Sequence, residues 1–350
     1  MNGVLRAKQQ EQYHELIRRR RMRRLGAVGL CIVAMLIMMH TPLKSRVMAK
    51  IRLSLTQLES YILSDDTQFP TIGAFKLSTV EVDSNEEEIN NGYRYMLKRK
   101  RDLYKGSMQL INGSHAYLFR EQEQLVHLKT YKNKSYKLID TKMQLNREVV
   151  GPLNAMMKDF ERATGKHDMI MTSGYRNLSD QGEVLQEKIN VWGEDEALKW
   201  AMLPGYSEHH SGYAVDMSIY TDAGEYVKYK GQDQYAWINQ NCYKYGWIRR
   251  YTEEKKEITG VSDEQWHYRY IGVPHAYVIT MKYFALEEYI SYIKQFTFGK
   301  EHLKVECESG AYEIYFVPSE GSETFVPVPK GKSYTLSGNN EDGFIVTVTL

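Results

Sequence analysis

The chain has 350 residues, 42% hydrophobic and 26% charged, so it is long enough for one large domain plus a smaller one and is neither disordered nor fibrous. Its net charge of +2 is unevenly distributed, because residues 1–50 hold eleven Lys or Arg against two Glu. The rest of the chain is mildly acidic, which argues against nucleic-acid binding by the main body.

The N-terminal segment has the pattern of a membrane anchor. Six arginines lie within residues 17–24 and precede an apolar run that begins at residue 25 and extends to about residue 43. A membrane span needs ~20 apolar residues, and ~17 are tolerated. The arginines predict that residues 1–24 lie in the cytoplasm and that the chain after the anchor at residues 25–43 lies outside. We therefore expect a single-pass protein of the cell membrane. A cleaved signal peptide is the alternative, but no small-residue cleavage site directly follows the apolar run.

Residues 44–105 are expected to form a stalk and linker. The first part has the pattern of a short helix, and residues 76–105 are charge-rich, which is typical of a solvated connector with a helical part. Of the three cysteines, Cys31 lies in the apolar run, and neither Cys242 nor Cys307 has a partner at metal-site spacing.

A compact domain is predicted over residues 106–297. It opens at residues 107–119 with a strand and an Asn-Gly turn. The predicted helices are 147–165, 178–202 with an interruption near Gly193, 233–247 and 273–296. The predicted strands are 167–176, 213–221 and 264–272. From residue 298 to residue 350, short β-rich runs alternate with turn residues and predict a small antiparallel module. The whole is therefore of the α+β class.

Residues 207–216, SEHHSGYAVD, combine two histidines with a carboxylate. In the strand that follows Gly212, alternation places Asp216 on a face with small residues, opposite an apolar face that suits the core. A carboxylate on a core strand is costly without a partner. Gly212 lets the chain turn, so one of the two adjacent histidines, His209 or His210, can reach back over the strand while the other faces away.

A second segment, EQWHYRY at residues 264–270, supplies another histidine. His267 would complete a His, Asp, His set, which suits catalytic zinc with one position left for water. Glu264 is a candidate general base for that water. Its odd spacing from His267 does not fit a regular strand, so it is expected at the strand entrance, where the chain bends.

The order of these segments is specific. SEHHSGYAVD fits S-x-H-x-x-G-x-A-x-D, EQWH fits E-x-W-H, and SGYR at residues 173–176 lies upstream with Gln181 five residues after Arg176. Over residues 105–295 the chain resembles the VanY-like D-alanyl-D-alanine carboxypeptidases, zinc peptidases that trim bacterial cell-wall stem peptides. The resemblance implies a zinc peptidase domain with a central antiparallel sheet flanked by helices.

The resemblance also implies roles for individual residues. The zinc ligands would be His209, Asp216 and His267. Glu264 would be the catalytic base, and Arg176 would polarise the scissile carbonyl and stabilise the oxyanion. Two further residues, Gln181 and Ser207, would contact the substrate.

The expected function is that of a membrane-anchored enzyme that removes the terminal D-Ala from peptidoglycan stem peptides ending in D-Ala-D-Ala. An LD-carboxypeptidase or a peptidoglycan endopeptidase with the same site is an alternative, because pocket loops set that choice. A second alternative is a non-catalytic tether that binds the cell wall. His275 is expected to be structural, and arginine–tyrosine clusters at residues 249–251 and 268–270 are interpreted as packed tyrosine surfaces rather than glycan sites.

Overall fold

The computed structural model describes residues 92–118, 124–198 and 200–350. The predicted cytoplasmic segment, the anchor at residues 25–43 and most of the stalk lie outside these ranges. Among the described residues, no helix has both the length and the apolar character needed to cross a membrane.

Helices and strands alternate through the first two thirds of the described chain, and strands dominate the last third. The helices are α1 (Leu128–Tyr131), α2 (Arg147–Thr164), α3 (Leu178–Trp192), α4 (Glu194–Ala197), α5 (Ala236–Asn241), α6 (Lys256–Thr259), α7 (Val273–Lys282) and α8 (Leu286–Ile293). The strands are β1 (Tyr93–Arg99), β2 (Leu125–His127), β3 (Lys137–Leu138), β4 (Gln144–Asn146), β5 (Met169–Ser173), β6 (Ala214–Tyr220), β7 (Tyr226–Lys228), β8 (Trp247–Tyr251), β9 (Glu264–Tyr270), β10 (Leu303–Cys307), β11 (Gly310–Pro318), β12 (Glu323–Pro329), β13 (Tyr334–Gly338) and β14 (Gly343–Thr349).

The central sheet has the strand order β3-β5-β6-β9-β8, with β7 paired to β6. The β3–β5 pair is parallel, and the other pairs are antiparallel. The predicted α+β class is therefore confirmed.

Helix α2 covers one face of this sheet. Asn146 caps the helix, and its side chain accepts from the backbone N–H of Glu148. The helix ends at Gly165, where φ is +70°. The apolar positions at helical spacing are all buried: Val149, Val150, Leu153, Met156, Met157 and Phe160. The buried face packs with sheet residues such as Val215 and Met217, and burying each large apolar side chain contributes about 1.5–3 kcal/mol. This packing leaves the opposite side of β6 available for polar residues.

The C-terminal strands form a four-stranded antiparallel sheet in the order β10-β11-β14-β13, as the sequence predicts. Its apolar side shares a second core with α7 and α8, which includes Ile279, Leu286, Ile314 and Ile345. The C-terminal module is therefore packed against helices of the preceding domain.

The prediction of one helix over residues 273–296 is wrong. The segment forms α7 and α8, which are separated at Tyr283, where φ is +54°. This left-handed residue ends α7, and the backbone N–H of Phe284 donates to the carbonyl of Ile279. The apolar pattern continues through the break because both helices face the same core.

Part of the predicted connector is a paired strand. Strand β1 runs antiparallel to β12 over seven residues, from Tyr93 opposite Pro329 to Arg99 opposite Glu323. The residues of β1 are therefore not a connector but a paired strand, although most of their side chains are exposed. The sequence could not predict this pairing, because the partner strand is some 230 positions away. The Asn-Gly turn is confirmed at Asn112–His115, although no strand adjoins it.

Candidate metal centre

Three side chains from separate segments meet at the polar face of β6. One ligand atom from each of His209, Asp216 and His267 lies within 4.8 Å of the other two. Asp216 and His267 are cross-strand partners on β6 and β9, so their side chains project from the same face. The Asp216 carboxylate lies 2.9 Å from His267 Nδ1 and 3.2 Å from His209 Nε2.

A 3₁₀ turn, Glu208–Ser211, delivers His209 to this face. The Ser207 hydroxyl caps the turn by accepting from the backbone N–H of His209, and Gly212 ends it with φ at +73°. A Cβ on Gly212 would lie 2.8 Å from Leu125 Cδ2 and 3.0 Å from the backbone nitrogen of Asn146. Glycine is therefore required here by both conformation and space.

Hydrogen bonds orient both histidine rings. His209 Nδ1 lies 2.6 Å from the carbonyl oxygen of Gly174, which only accepts, so Nδ1 carries the proton and Nε2 faces Asp216 with its lone pair. His267 Nε2 lies 3.1 Å from a carboxylate oxygen of Glu208 and donates to it, so Nδ1 is the nitrogen directed into the site. Each ring thus presents one nitrogen to a common point.

Burial and charge act differently on the two histidines. Burial, with the Arg176 charge, lowers the pKa of His209 to about 4, so this ring is neutral. Burial also disfavours the charged form of His267, but hydrogen bonds to Asp216 and Glu208 outweigh it and raise the pKa to about 9. The pKa of Asp216 is held well below its usual range because both histidines outweigh the effect of its burial. The charges around His209, Asp216 and His267 therefore favour a positive charge at the point between these three side chains.

Glu264 is the first residue of β9, at the strand entrance as expected. The register with β8 is irregular there, since Arg249 is opposite Tyr268 whereas Tyr251 is opposite Glu264. Between these two pairs β9 has two residues more than β8, and Tyr251, which is opposite Glu264, stacks on the ring of His267 with 5.2 Å between the ring centroids. Burial raises the pKa of Glu264 to about 7. The charges of His267, Asp216 and Arg176 also act on its carboxyl, so Glu264 lies in the cleft that these three residues line.

Arg176 lies beside the ligand Asp216. Its Nη1 is 2.7 Å from Ser173 Oγ and 3.8 Å from the Asp216 carboxylate, and its Nε donates to Gln181 Oε1 at 2.9 Å. Ser207 Oγ is 3.5 Å from Arg176 Nη2. The arginine and Asp216 retain 19% and 16% exposure, so the site opens to solvent between them.

Gln181 contacts Arg176 in the structure, and the contact with substrate that the resemblance implies for it stays a prediction. The side chain is 1% exposed, and its amide is used at both ends, by Arg176 and by the carbonyl of Met202. Gln181 therefore helps to position Arg176. Ser207, at 3% exposure, also lies against the guanidinium.

The two remaining histidines of interest lie away from the ligands. His210 Nδ1 donates to the carbonyl of Arg176, and its Nε2 accepts from the N–H of Gly205. His275 is buried between Tyr289 and Thr347, at 2.7 and 2.8 Å. The expectation that both are structural agrees with these contacts.

Sequence reasoning missed a buried ion cluster behind His267. Glu208 lies 2.8 Å from Arg250 Nε and 3.1 Å from Arg269 Nη1, and all three side chains are fully buried. Arg250 also pairs with Glu287 of α8 at 2.6 Å. The tyrosines of the two arginine–tyrosine clusters do pack, but each cluster also delivers a buried arginine. The available signal was an arginine placed between core aromatic residues in β8 and in β9.

These residues fit a zinc ion. Zinc favours imidazole nitrogen and carboxylate oxygen, and its catalytic sites use three protein ligands with one open position. Both histidines have their second nitrogen bonded to a carbonyl or a carboxylate, which is the usual support of a zinc-bound imidazole. No rearrangement of the donors is needed to bring them together.

Comparison with known proteins agrees with this chemistry. The family model for VanY D-alanyl-D-alanine carboxypeptidase matches residues 142–273. A D-alanyl-D-alanine carboxypeptidase of Enterococcus faecium is 33% identical over 251 residues, which cover 70% of this chain and 76% of the relative. One from Enterococcus faecalis is 37% identical over 151 residues, or 41% of this chain and 54% of the relative.

Among solved structures, the vancomycin-resistance D,D-dipeptidase VanXYg, in complex with a phosphinate analogue of D-Ala-D-Ala, superposes with a TM-score of 0.67 at 27% identity. The match covers 74% of this chain and 99% of that protein. The shared sequence extends well beyond the site motifs, and the fold is the same. The chain therefore belongs to the VanY family of D-alanyl-D-alanine carboxypeptidases.

Proposed function

We propose that the protein is a zinc-dependent D-alanyl-D-alanine carboxypeptidase, which removes the terminal D-Ala from peptidoglycan stem peptides that end in D-Ala-D-Ala. One observation carries the proposal: His209, Asp216 and His267 converge in a cleft that also holds Glu264 and Arg176. This is a complete set for metal-assisted amide hydrolysis.

The three ligands would hold the zinc ion, which when bound lowers the pKa of water from ~15.7 toward ~7 and polarises the scissile carbonyl. Glu264 takes a proton from the attacking water as the new C–O bond forms. It then returns a proton to the leaving amine as the C–N bond breaks. Its raised pKa suits both roles, because a group that titrates near neutral pH can accept and donate.

Arg176 donates to the negative charge that develops on the carbonyl oxygen. Ser173, Gln181 and Ser207 hold its guanidinium in place, so little reorganisation is needed as the charge appears. Removing one such donor typically slows the reaction ~10²–10³-fold.

We further propose that residues 25–43 anchor the protein in the cell membrane, with the peptidase domain on the cell-wall side. The arginines at residues 17–24 and the apolar run support this orientation. Alkaline extraction of bacterial membranes, followed by protease treatment of intact spheroplasts, would test it. Release at high pH, or protection of the domain from external protease, would contradict it.

The activity is tested with the purified full chain and synthetic pentapeptide and tetrapeptide stems, with and without a chelator. We expect the loss of one alanine from the pentapeptide only, abolished by the chelator and detected by mass spectrometry. Trimming of the tetrapeptide would instead show an LD-carboxypeptidase. No cleavage of either stem would contradict the proposal.

A further inference from the structure

Lys228 ends β7, a short strand that continues the line of β9 along β6. Strand β5 occupies one edge of β6 opposite residues 216–219, so β7 and β9 share the other edge. On that edge, Asp216 is opposite His267, and Ser218 is opposite Lys228. Lys228 therefore lies next to the point where β9 begins with Glu264.

The pairing also fixes the side on which Lys228 projects. Directly opposed residues in an antiparallel pair point to the same face, and so do residues two apart in one strand. Lys228 thus shares a face with Ser218 and Asp216. The ligand Asp216 lies about 7 Å further along β6. The lysine is exposed on the face that carries the metal ligands.

Two tryptophans hold the Lys228 ammonium group. Its Nζ is 3.4 Å from the ring centroid of Trp266 and 5.3 Å from that of Trp200. Such cation–π contacts restrict a long side chain without neutralising it. Among the side chains that the structure describes, no carboxylate lies within ion-pair distance of this ammonium group. The charge is therefore oriented and available.

A second lysine, Lys188 of α3, lies on the same side of the site as Lys228. Lys188 lies seven residues, or two helical turns, after Gln181, so both are on the helix face that adjoins Arg176. Its Nζ contacts the ring of Trp192 at 4.9 Å. Lys188 is also among the positive charges that oppose the effect of burial on the pKa of Glu264. Burial lowers the pKa of Lys228, with Glu264 opposing and Lys188 adding to the effect.

We propose that Lys228 and Lys188 form a cationic subsite for a carboxylate in the part of the substrate that precedes the scissile bond. The enzyme would then prefer acidic peptides that end in D-Ala-D-Ala. This inference rests on the proposed function, because it specifies the substrate of the same cleft.

The distance of the two lysines from the metal ligands favours a substrate carboxylate before the scissile bond over the terminal carboxylate of the substrate. The terminal carboxylate is one residue from the scissile carbonyl, and one residue spans at most ~3.6 Å. Lys228 lies two strand positions beyond the ligand Asp216, and Lys188 two helical turns beyond Gln181. Both lysines lie about 7 Å or more beyond these residues along β6 or α3, which favours a carboxylate on a residue that precedes the scissile bond.

The test compares kcat and KM of the zinc-loaded full chain on paired peptides. The members of a pair differ only in Glu or Gln at the first or second residue before D-Ala-D-Ala. We expect the Glu peptide of at least one pair to have a KM about two- to five-fold lower, with the difference shrinking at high salt. Lys228→Met should abolish the preference, Lys188→Met should reduce it, and Lys228→Arg should keep it. Lys304→Met, at an exposed strand position in β10, is the matched control.

Distinct outcomes separate this inference from the activity itself. Equal KM values within every pair, or a preference that survives in Lys228→Met, would overturn the subsite while leaving the carboxypeptidase activity in place. If Lys228→Met lowers kcat/KM equally on the Glu and Gln peptides, Lys228 acts through Glu264 and not through the substrate carboxylate. That result would also overturn the subsite. A third arm uses peptides with a C-terminal amide: if the Lys228→Met defect follows the terminal carboxylate instead of the Glu, the assignment to preceding residues is wrong. Failure of the wild-type chain to cleave any peptide would count against the proposed function.

Discussion

The Nε2 atom of His267 lies 3.1 Å from Oε2 of Glu208, on the side of the ring that faces away from Asp216. Arg250 and Arg269 outweigh the burial of Glu208 and hold the pKa of its carboxyl well below the usual range. The carboxylate therefore stays charged, accepts the Nε2 proton and directs the Nδ1 lone pair into the metal site. We expect Glu208→Gln to weaken zinc binding about 10–100-fold.

Competition with a chromophoric chelator measures that change. Glu287→Gln is the matched control, because it removes the other partner of Arg250 without touching His267. Both variants disturb the buried ion cluster, so a loss of zinc affinity confined to Glu208→Gln separates orientation of the ring from general destabilisation. Equal zinc affinity in the two variants would contradict the role of Glu208.

The adjacent histidines should behave differently. His209→Ala removes a ligand and should abolish stoichiometric zinc binding, measured by metal analysis after dialysis. His210→Ala should keep most of the zinc, since its ring bonds Arg176 and Gly205 instead of facing the site. We expect it to lower the free energy of unfolding by about 1–3 kcal/mol, because buried polar groups lose their partner. The opposite pattern of zinc retention would overturn the ligand assignment.

Glu264→Gln should keep zinc and lose turnover. The amide has nearly the same shape but cannot take a proton, so kcat should fall about 10²–10⁴-fold. Metal content and circular dichroism show whether the site and fold are intact. A variant with bound zinc and near-normal kcat would show that another group is the base.

Acid should selectively weaken one contact of the C-terminal module. A hydrogen bond from His115 and the charge of Lys294 lower the pKa of Glu341 to about 2, from an ordinary value of 4.5. Because the folded-state pKa is lowered, the contribution of Glu341 to stability is complete above about pH 4.5 and is lost as the pH falls toward 2. The difference in unfolding free energy between the wild type and Glu341→Gln, measured with urea, should be largest at pH 7, smaller at pH 3 and nearly lost at pH 2. A difference that is independent of pH would contradict this linkage.

Local periodicity predicted much of the fold and the face of the sheet on which Asp216 lies. The 3.6-residue pattern located the buried face of α2, and the two-residue pattern placed Asp216 on the side of β6 away from the core. Both patterns depend on short-range geometry, which a single sequence records directly.

Long-range pairing accounts for what could not be predicted. The irregular register between β8 and β9 at Glu264 is a property of two strands together. Arg250 and Arg269 looked like ordinary charges because their partner, Glu208, is more than 40 residues away in the chain. The left-handed Tyr283 that divides α7 from α8 is likewise determined by tertiary packing.

The pairing of β1 with β12 has a mechanical consequence. A pull on the chain at Gly92 reaches the folded domain through β1, and the first backbone hydrogen bonds to carry it are those with β12. The strands that hold Asp216 and His267 are in a different sheet. Tension applied to the chain from the N-terminal side therefore enters the C-terminal module before it reaches the sheet that holds the metal ligands.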